Sequence, residues 1–370
     1  MSLLDHALSN IKKIAPYQPG KPITEVAREL GLPVESIIKL ASNENPLGMS
    51  PKARAAVQAA IDGLARYPDD FELKAALARH ASVATNQIVL GNGSNDVLEL
   101  IAQVFLAPGR SAVFSAHAFA VYPLATMGVG GECIAAPAKD YAHDLPAMRA
   151  AVRDDTRLVW IANPNNPTGT FLPYAELKAF IASLPKDVIV VLDEAYNEYL
   201  SPALRVDTTE WLSEFDNLVI TRTFSKIYGM AGLRIGFALC SVAVADLMNR
   251  VRQPFNCNNL ALGGAIAALE DADFLAESYE LNAAGMQQIV AGLDALGLKH
   301  LPSHANFVTF HVTDAGGVNQ KLLKQGVIVR PLAGYAMHDW LRVTIGTEAE
   351  NARFLDALKC ALKLAVQAGV

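Results

Sequence analysis

The chain has 370 residues, 52% hydrophobic and 18% charged, more than one small core needs and enough for a large domain with a smaller companion. Its 31 basic and 37 acidic residues leave a formal charge of -6 with no basic block, which argues against a nucleic-acid partner. No apolar run reaches the roughly 18 residues of a membrane span, so no membrane association is expected. The first residues, "MSLLDHALSNIKKIAPYQPG", mix acidic and polar residues into their apolar stretch and do not read as a signal peptide. Cys133, Cys240, Cys257 and Cys360 lack metal-type spacing, as expected of reduced structural thiols in a cytoplasmic protein.

Along the chain, "QIVLGNGSNDVLELIAQVF" reads as strand, glycine-rich turn and helix. "RLVWIANPNNPTG" is a strand that stops in a turn, and "DVIVVLDEAY" and "NLVITRTFSK" are two more strands stopping at polar residues. These runs are almost wholly apolar instead of alternating, the pattern of parallel strands covered on both faces by helices. An α/β sheet follows, with any ligand beyond the carboxyl ends of its strands. After about Arg252 the character changes. An alanine-rich helical stretch leads to the shorter strands "NFVTFHV", "GVIVRP" and "WLRVTIGT", and a final helix runs from about Glu348. The expected division is an arm with part of the small domain over 1–40, a large domain over 41–255, and a connecting helix with a small α+β domain over 256–370.

Each central strand ends in a polar residue of a different chemical type. In "GNGSNDV", Gly91, Gly93 and Ser94 form a turn, and Asn95 and Asp96 open a helix. Bare backbone N–H groups at a helix start suit an anion, although an ordinary glycine turn has the same look. "NPNNPTG" offers Asn166 from a proline-stiffened backbone, or is a tight turn and nothing more. Asp193, directly after an apolar run, needs a cation or strong donor if buried. A structural salt bridge would supply that, as would a protonated heterocyclic nitrogen, with the Tyr196 phenol nearby. Lys226 ends the next strand, where desolvation or a neighbouring cation such as Arg234 would turn its amine into a nucleophile toward aldehydes.

In this order, "SNENPLG", "GNGS", "NPNNPTG", "DEAY", "SK" and "AGLRIG" resemble the fold-type-I pyridoxal-phosphate aminotransferases over nearly the whole chain. Within them, "PYQPGKPITEVARELGL", "RYPD", "QPFNCNN" and "LRVTIGT" are similar to the histidinol-phosphate aminotransferase family. The resemblance implies an aspartate-aminotransferase-like fold: a large domain with a mostly parallel, seven-stranded-type sheet and a smaller α+β domain. It implies that Lys226 binds pyridoxal 5'-phosphate covalently and later moves the substrate proton, that Asp193 keeps the ring nitrogen protonated, and that Asn166 and Tyr196 meet the ring's phenolic oxygen. Ser94, Asn95, Thr223, Ser225 and Arg234 would hold the phosphate, with Tyr67 reaching it from a second subunit in a homodimer with shared sites. Arg342 would take a carboxylate of glutamate or 2-oxoglutarate, and Tyr17, Asn43 and Arg330 would contact substrate, although a strand-end salt bridge is an equal reading of Arg330. Two positions depart from the common pattern: Phe119 in "HAFAVY" replaces a ring-stacking tyrosine and Asn95 replaces an aspartate. Stacking needs only the aromatic face, and backbone N–H groups suffice for phosphate. His117 is assigned no role.

The expected reaction is amino transfer between histidinol phosphate and 2-oxoglutarate. An aromatic amino-acid aminotransferase is the alternative on the same scaffold. A decarboxylase would sit badly with Arg342, because an ion-paired carboxylate is a poor leaving group. A DNA-linked effector module would need an added domain, yet the motifs begin by residue 43.

Overall fold

The structure is a computed structural model that describes residues 2–16 and 20–367. Seven strands form the main sheet: β1 (Ile88–Gly91), β2 (Ser111–Ser115), β3 (Glu132–Ala136), β4 (Thr156–Ala162), β5 (Ile189–Asp193), β6 (Leu218–Thr223) and β7 (Gly236–Cys240). Their order is β1-β7-β6-β5-β4-β2-β3, parallel throughout except for β7, which runs against both its neighbours.

The continuous apolar runs have a simple cause, because both faces of this sheet are buried. Successive side chains alternate, so Val190, Leu192, Leu218, Ile220 and Val159 join one apolar layer. Ile189, Val191, Val219, Leu158 and Trp160 join the opposite one. The first layer is closed by the helices Phe71–Ala81, Tyr174–Ser183 and Asn259–Leu269 through Leu77, Leu177 and Ala265. The second is closed by α1 (Ser94–Phe105) and α2 (Val121–Gly128) and by the helix Val242–Val251, through Val97, Tyr122 and Met248. Each fully buried aliphatic side chain is worth about 1.5–3 kcal/mol before the entropy of ordering is set against it.

Alternation also separates two adjacent carboxylates. Asp193 points with Val191 toward one layer, whereas Glu194 turns to the other and is fully buried. There Arg222 of β6 donates to Glu194 Oε2 from Nε at 2.9 Å and Nη2 at 2.8 Å, and the Thr208 hydroxyl donates to Oε1 at 2.7 Å. The structural ion pair at this strand end therefore belongs to Glu194. Among the described residues Asp193 makes none.

The alanine-rich stretch forms two helices, Asn259–Leu269 and Ala272–Ala295. The first packs on the main sheet's core, and the second spans from that core, through Leu275 and Tyr279, to another, to which it contributes Ile289 and Leu293. That second core surrounds a three-stranded antiparallel sheet, β8 (Phe307–His311), β9 (Arg330–Pro331) and β10 (Trp340–Thr344), in the order β8-β10-β9. The helix Glu348–Gln367 closes it through Phe354 and Leu358. Leu40 enters the same core, because Ile38–Lys39 pairs in parallel with Val327–Ile328. Among the described residues no helix is long and apolar enough to cross a membrane.

Candidate active site

A cavity of about 260 Å³ lies beyond the carboxyl ends of β4, β5 and β6, roofed by β9 and β10 of the smaller sheet. It brings together Asn43, Ser94, Asn95, Phe119, Asn166, Asp193, Tyr196, Thr223, Ser225, Lys226, Arg234, Arg330 and Arg342. One expected residue is not brought there. Tyr67 is 80% exposed on the surface, stacked on Phe255 at 4.5 Å between ring centroids. Tyr17 lies outside the described residues.

Asp193 closes β5 and is buried, with Oδ2 accepting from the Tyr122 hydroxyl at 2.9 Å and Oδ1 accepting from Ala195 N–H at 3.2 Å. Burial pushes its carboxyl up to about 6, against the Tyr122 hydroxyl, Ala195 N–H and the Thr221 hydroxyl, which act to keep it anionic. Three residues on, the Tyr196 hydroxyl accepts from Asn43 Nδ2 at 2.9 Å. Asn43 is itself held across the domains: its backbone N–H and its Oδ1 both meet the Thr344 hydroxyl, at 2.9 and 3.1 Å. Such ties sustain the left-handed backbone of Asn43, with φ 56°.

Lys226 follows β6 and is partly enclosed. Its Nζ donates to Ser42 O at 3.2 Å and stands 5.7 Å from the centre of the Tyr196 ring. Burial first, and then the Arg342 guanidinium, bring this amine down to about 8. A far larger share is therefore neutral and nucleophilic near pH 7 than for a solvated lysine.

At the other end of the cavity α1 begins without a side-chain cap, which leaves its first N–H groups available to an anion. Arg234 leans across this helix start, with Nη1 3.4 Å from Ser225 Oγ and 3.0 Å from Ala231 O. The approach requires glycine twice. A Cβ on Gly93, whose φ is 87°, would lie 2.2 Å from Arg234 Nη2, and one on Gly236 would lie 2.4 Å from Ser94 N. The cradle therefore combines a helix N-terminus, a guanidinium and the Ser225 hydroxyl.

The roof supplies further positive charge. Arg342 is buried, donating from Nη1 to Asn166 Oδ1 at 2.5 Å and from Nη2 to Ala41 O at 2.9 Å, with its guanidinium 5.0 Å from the Phe307 ring centre. Arg330 is its direct cross-strand partner. Like charges so placed repel, and a bound anion relieves that repulsion. The loop bearing Asn166 is fastened to the same sheet, since Pro167 O accepts from the Thr309 hydroxyl at 2.5 Å and Gly169 O from His304 N–H at 2.9 Å.

Several contributors were not singled out from sequence. Tyr335 and Ser42 also line the cavity, and Tyr122 stands behind Asp193. Ser42 acts through a backbone carbonyl, which has no side-chain signature, and Tyr122 reads as a core aromatic of α2. His117, given no role, joins the two domains through Nδ1 and the Tyr335 carbonyl at 2.7 Å.

The sequence matches the family described as aminotransferase class I and II over residues 35–358. It is 70% identical over 362 residues to histidinol-phosphate aminotransferase 1 of Dechloromonas aromatica, covering 98% of this chain and 100% of the relative. The corresponding protein of Methylobacillus flagellatus is 60% identical, with 98% of each chain covered. A histidinol-phosphate aminotransferase from Sinorhizobium meliloti, solved in complex with pyridoxal-5'-phosphate, superposes with a TM-score of 0.89 at 29% identity over 97% of this chain and 98% of that one. An aspartate aminotransferase from Thermus thermophilus shares the fold, with a TM-score of 0.83 at 22% identity over 95% of this chain and 98% of its own.

The position of Lys226 leads to a measurable expectation. Reductive methylation of the cofactor-free chain, followed at Lys226 by mass spectrometry, should rise with pH around a midpoint near 8. Arg342→Leu removes a neighbouring cation and should move that midpoint upward. A midpoint at the ordinary 10.5 in both proteins would contradict the electrostatics described here.

Proposed function

The chain belongs to the aminotransferase class I and II family, and from that premise we propose that it moves the amino group of L-histidinol phosphate to 2-oxoglutarate. The products are imidazole-acetol phosphate and L-glutamate, in histidine biosynthesis. Relatives between 54% and 70% identical over nearly the whole chain are named for that activity, which favours it over an aromatic amino-acid aminotransferase. The observation that bears most weight is the meeting of Lys226, Asp193, Arg234 and Arg342 in one cavity.

The residues fit pyridoxal phosphate. Asp193 is a buried carboxylate with neutral donors and, among the described residues, no ion pair, so a protonated ring nitrogen suits it. The cradle at α1, where no Cβ fits at Gly93 or Gly236, suits a phosphate. When bound, that cofactor supplies an aldehyde for the amino group and an electron-withdrawing ring. Lys226 would be its attachment point, and its amine, brought down to about 8, would take the proton from the substrate's α carbon. Asp193 holds the proton at the ring nitrogen. Tyr196, oriented by Asn43, and Asn166, oriented by Arg342, offer hydrogen bonds to the ring's phenolic oxygen. Ser94, Asn95, Thr223, Ser225 and Arg234 would bind the phosphate, and Phe119 would offer its face to the ring. Arg342 and Arg330 receive the anionic groups of the two substrates, one after the other. Asn43 and Tyr17 complete the substrate contacts.

The working unit in this reading is a cytoplasmic homodimer, divided at 1–40, 41–255 and 256–370. The four cysteines are free, in keeping with a reducing compartment. Ile61, Leu64, Tyr67, Phe71 and Phe255 are all at least half exposed, an apolar surface that a second copy would cover. Tyr67 then reaches the phosphate of the facing site.

Two experiments test this. Under single turnover, the cofactor absorbance of the loaded protein should change roughly ten- to hundredfold faster with L-histidinol phosphate than with L-phenylalanine, the worth of a charge-assisted hydrogen bond to phosphate. The reverse order would make the chain an aromatic aminotransferase. In the dimer, Tyr67→Phe should weaken cofactor affinity about tenfold with little effect on thermal unfolding, and unchanged affinity would remove Tyr67 from the phosphate site.

A further inference from the structure

We propose that Tyr122 is a positioning residue of this site: its hydroxyl orients the Asp193 carboxylate and holds it in the anionic form that a protonated ring nitrogen needs. The inference rests on the reading of Asp193 given above and assigns a task to a residue of α2 that lies outside the cavity lining.

Tyr122 is fully buried in the second apolar layer, and its hydroxyl finds one partner there, Asp193 Oδ2 at 2.9 Å. Packing alone would be served equally well by phenylalanine. A hydroxyl in such a layer costs free energy unless it is hydrogen-bonded. The ring is held on several sides. It lies parallel to Trp160 of β4, with 2° between planes and 5.4 Å between centroids. Trp160 is in turn tied by its indole N–H to the Thr126 hydroxyl at 3.2 Å, one turn along α2 from Tyr122. Phe119, which lines the cavity, meets the Tyr122 ring edge-on at 5.7 Å and 88°. One face of α2 thus grips the ends of β4 and β5 together.

The charges around Asp193 make the direction of this hydrogen bond unambiguous. Glu194 follows it in the chain, Tyr196 stands one turn on, and Lys226 approaches from the end of β6. Burial and the Asp193 charge push the Tyr122 phenol well above its ordinary value, so the proton stays on the tyrosine and the carboxylate accepts. With Ala195 N–H on the other oxygen, the carboxylate has no free rotation left. Removing the hydroxyl would take away the strongest of its donors, ahead of Ala195 N–H and the Thr221 hydroxyl, and raise its affinity for a proton of its own, in competition with the ring nitrogen.

Tyr122→Phe keeps the stacking and deletes only the donor. In the cofactor-free chain, the ¹³C resonance of the Asp193 carboxyl should titrate with a midpoint near 6 and move upward by about one unit in the variant. An unmoved midpoint would overturn the proposal. In the loaded chain, the ¹⁵N shift of the pyridine nitrogen should move toward the unprotonated value, and kcat should fall roughly ten- to hundredfold with KM nearly constant. The same substitution added to Asp193→Asn should cost almost nothing further. An equal loss in that background would mean that Tyr122 acts through packing and would also overturn the proposal. If the chain binds no pyridoxal phosphate, the functional reading fails, while the cofactor-free titration still decides whether Tyr122 governs Asp193.

Discussion

A carboxylate buried at the end of a central strand, with no ion pair among the described residues, is the constraint on which this structure turns. Asp193 sits in the sheet interior where an isolated charge is expensive, and the protein offers it a phenol and a backbone N–H. Burial outweighs its donors and leaves its carboxyl raised to about 6. A group so poised is out of place in a purely structural role, and the contrast with the next residue is direct. Glu194, equally buried, has the two-point Arg222 contact and the Thr208 hydroxyl that a structural ion pair requires. Neighbouring residues on opposite faces of one strand thus differ: Glu194 ties β5 to β6, and Asp193 is the one proposed to meet the cofactor's ring nitrogen.

Everything else in the cavity is arranged about that point by chain segments far apart in sequence. The β5 end presents Asp193 and Tyr196, the β6 end presents Ser225 and Lys226, and the start of α1 lies against Arg234 where only glycine permits the approach. The smaller sheet closes the site from above through Arg330 and Arg342, and the contacts between the halves are specific. Asn43 joins Thr344 to Tyr196, and Arg342 joins Ala41 to Asn166. A movement of the smaller sheet is therefore transmitted to the two groups proposed to meet the cofactor's phenolic oxygen.

Much of this was legible in the sequence, and the reason is physical. Strands buried on both faces must be apolar at every position, so their ends stand out wherever a polar residue appears, and the strand ends are where ligands bind in such sheets. Asp193 and Lys226 are conspicuous for that reason. The glycines of "GNGS" are legible as a close backbone approach, and the sequence places Arg234 beside them only through the family resemblance. Tyr122 and Trp160 look like ordinary core aromatics, because a hydroxyl inside an apolar layer leaves no periodic trace. Ser42 and Ala41 act through carbonyls, which every residue has. The role proposed for Tyr67 depends on a second chain, and in the single one its ring is exposed and stacked on Phe255.

The measurement that bears most directly on this reading is the site of covalent attachment. The chain would be loaded with pyridoxal phosphate, reduced with borohydride, digested and mapped by mass spectrometry. The reduced cofactor should be found on the peptide containing Lys226 and should be absent from the same peptide of Lys226→Ala. Attachment at another lysine, or none at all, would contradict the assignment of Lys226 and, with it, the function proposed for this cavity.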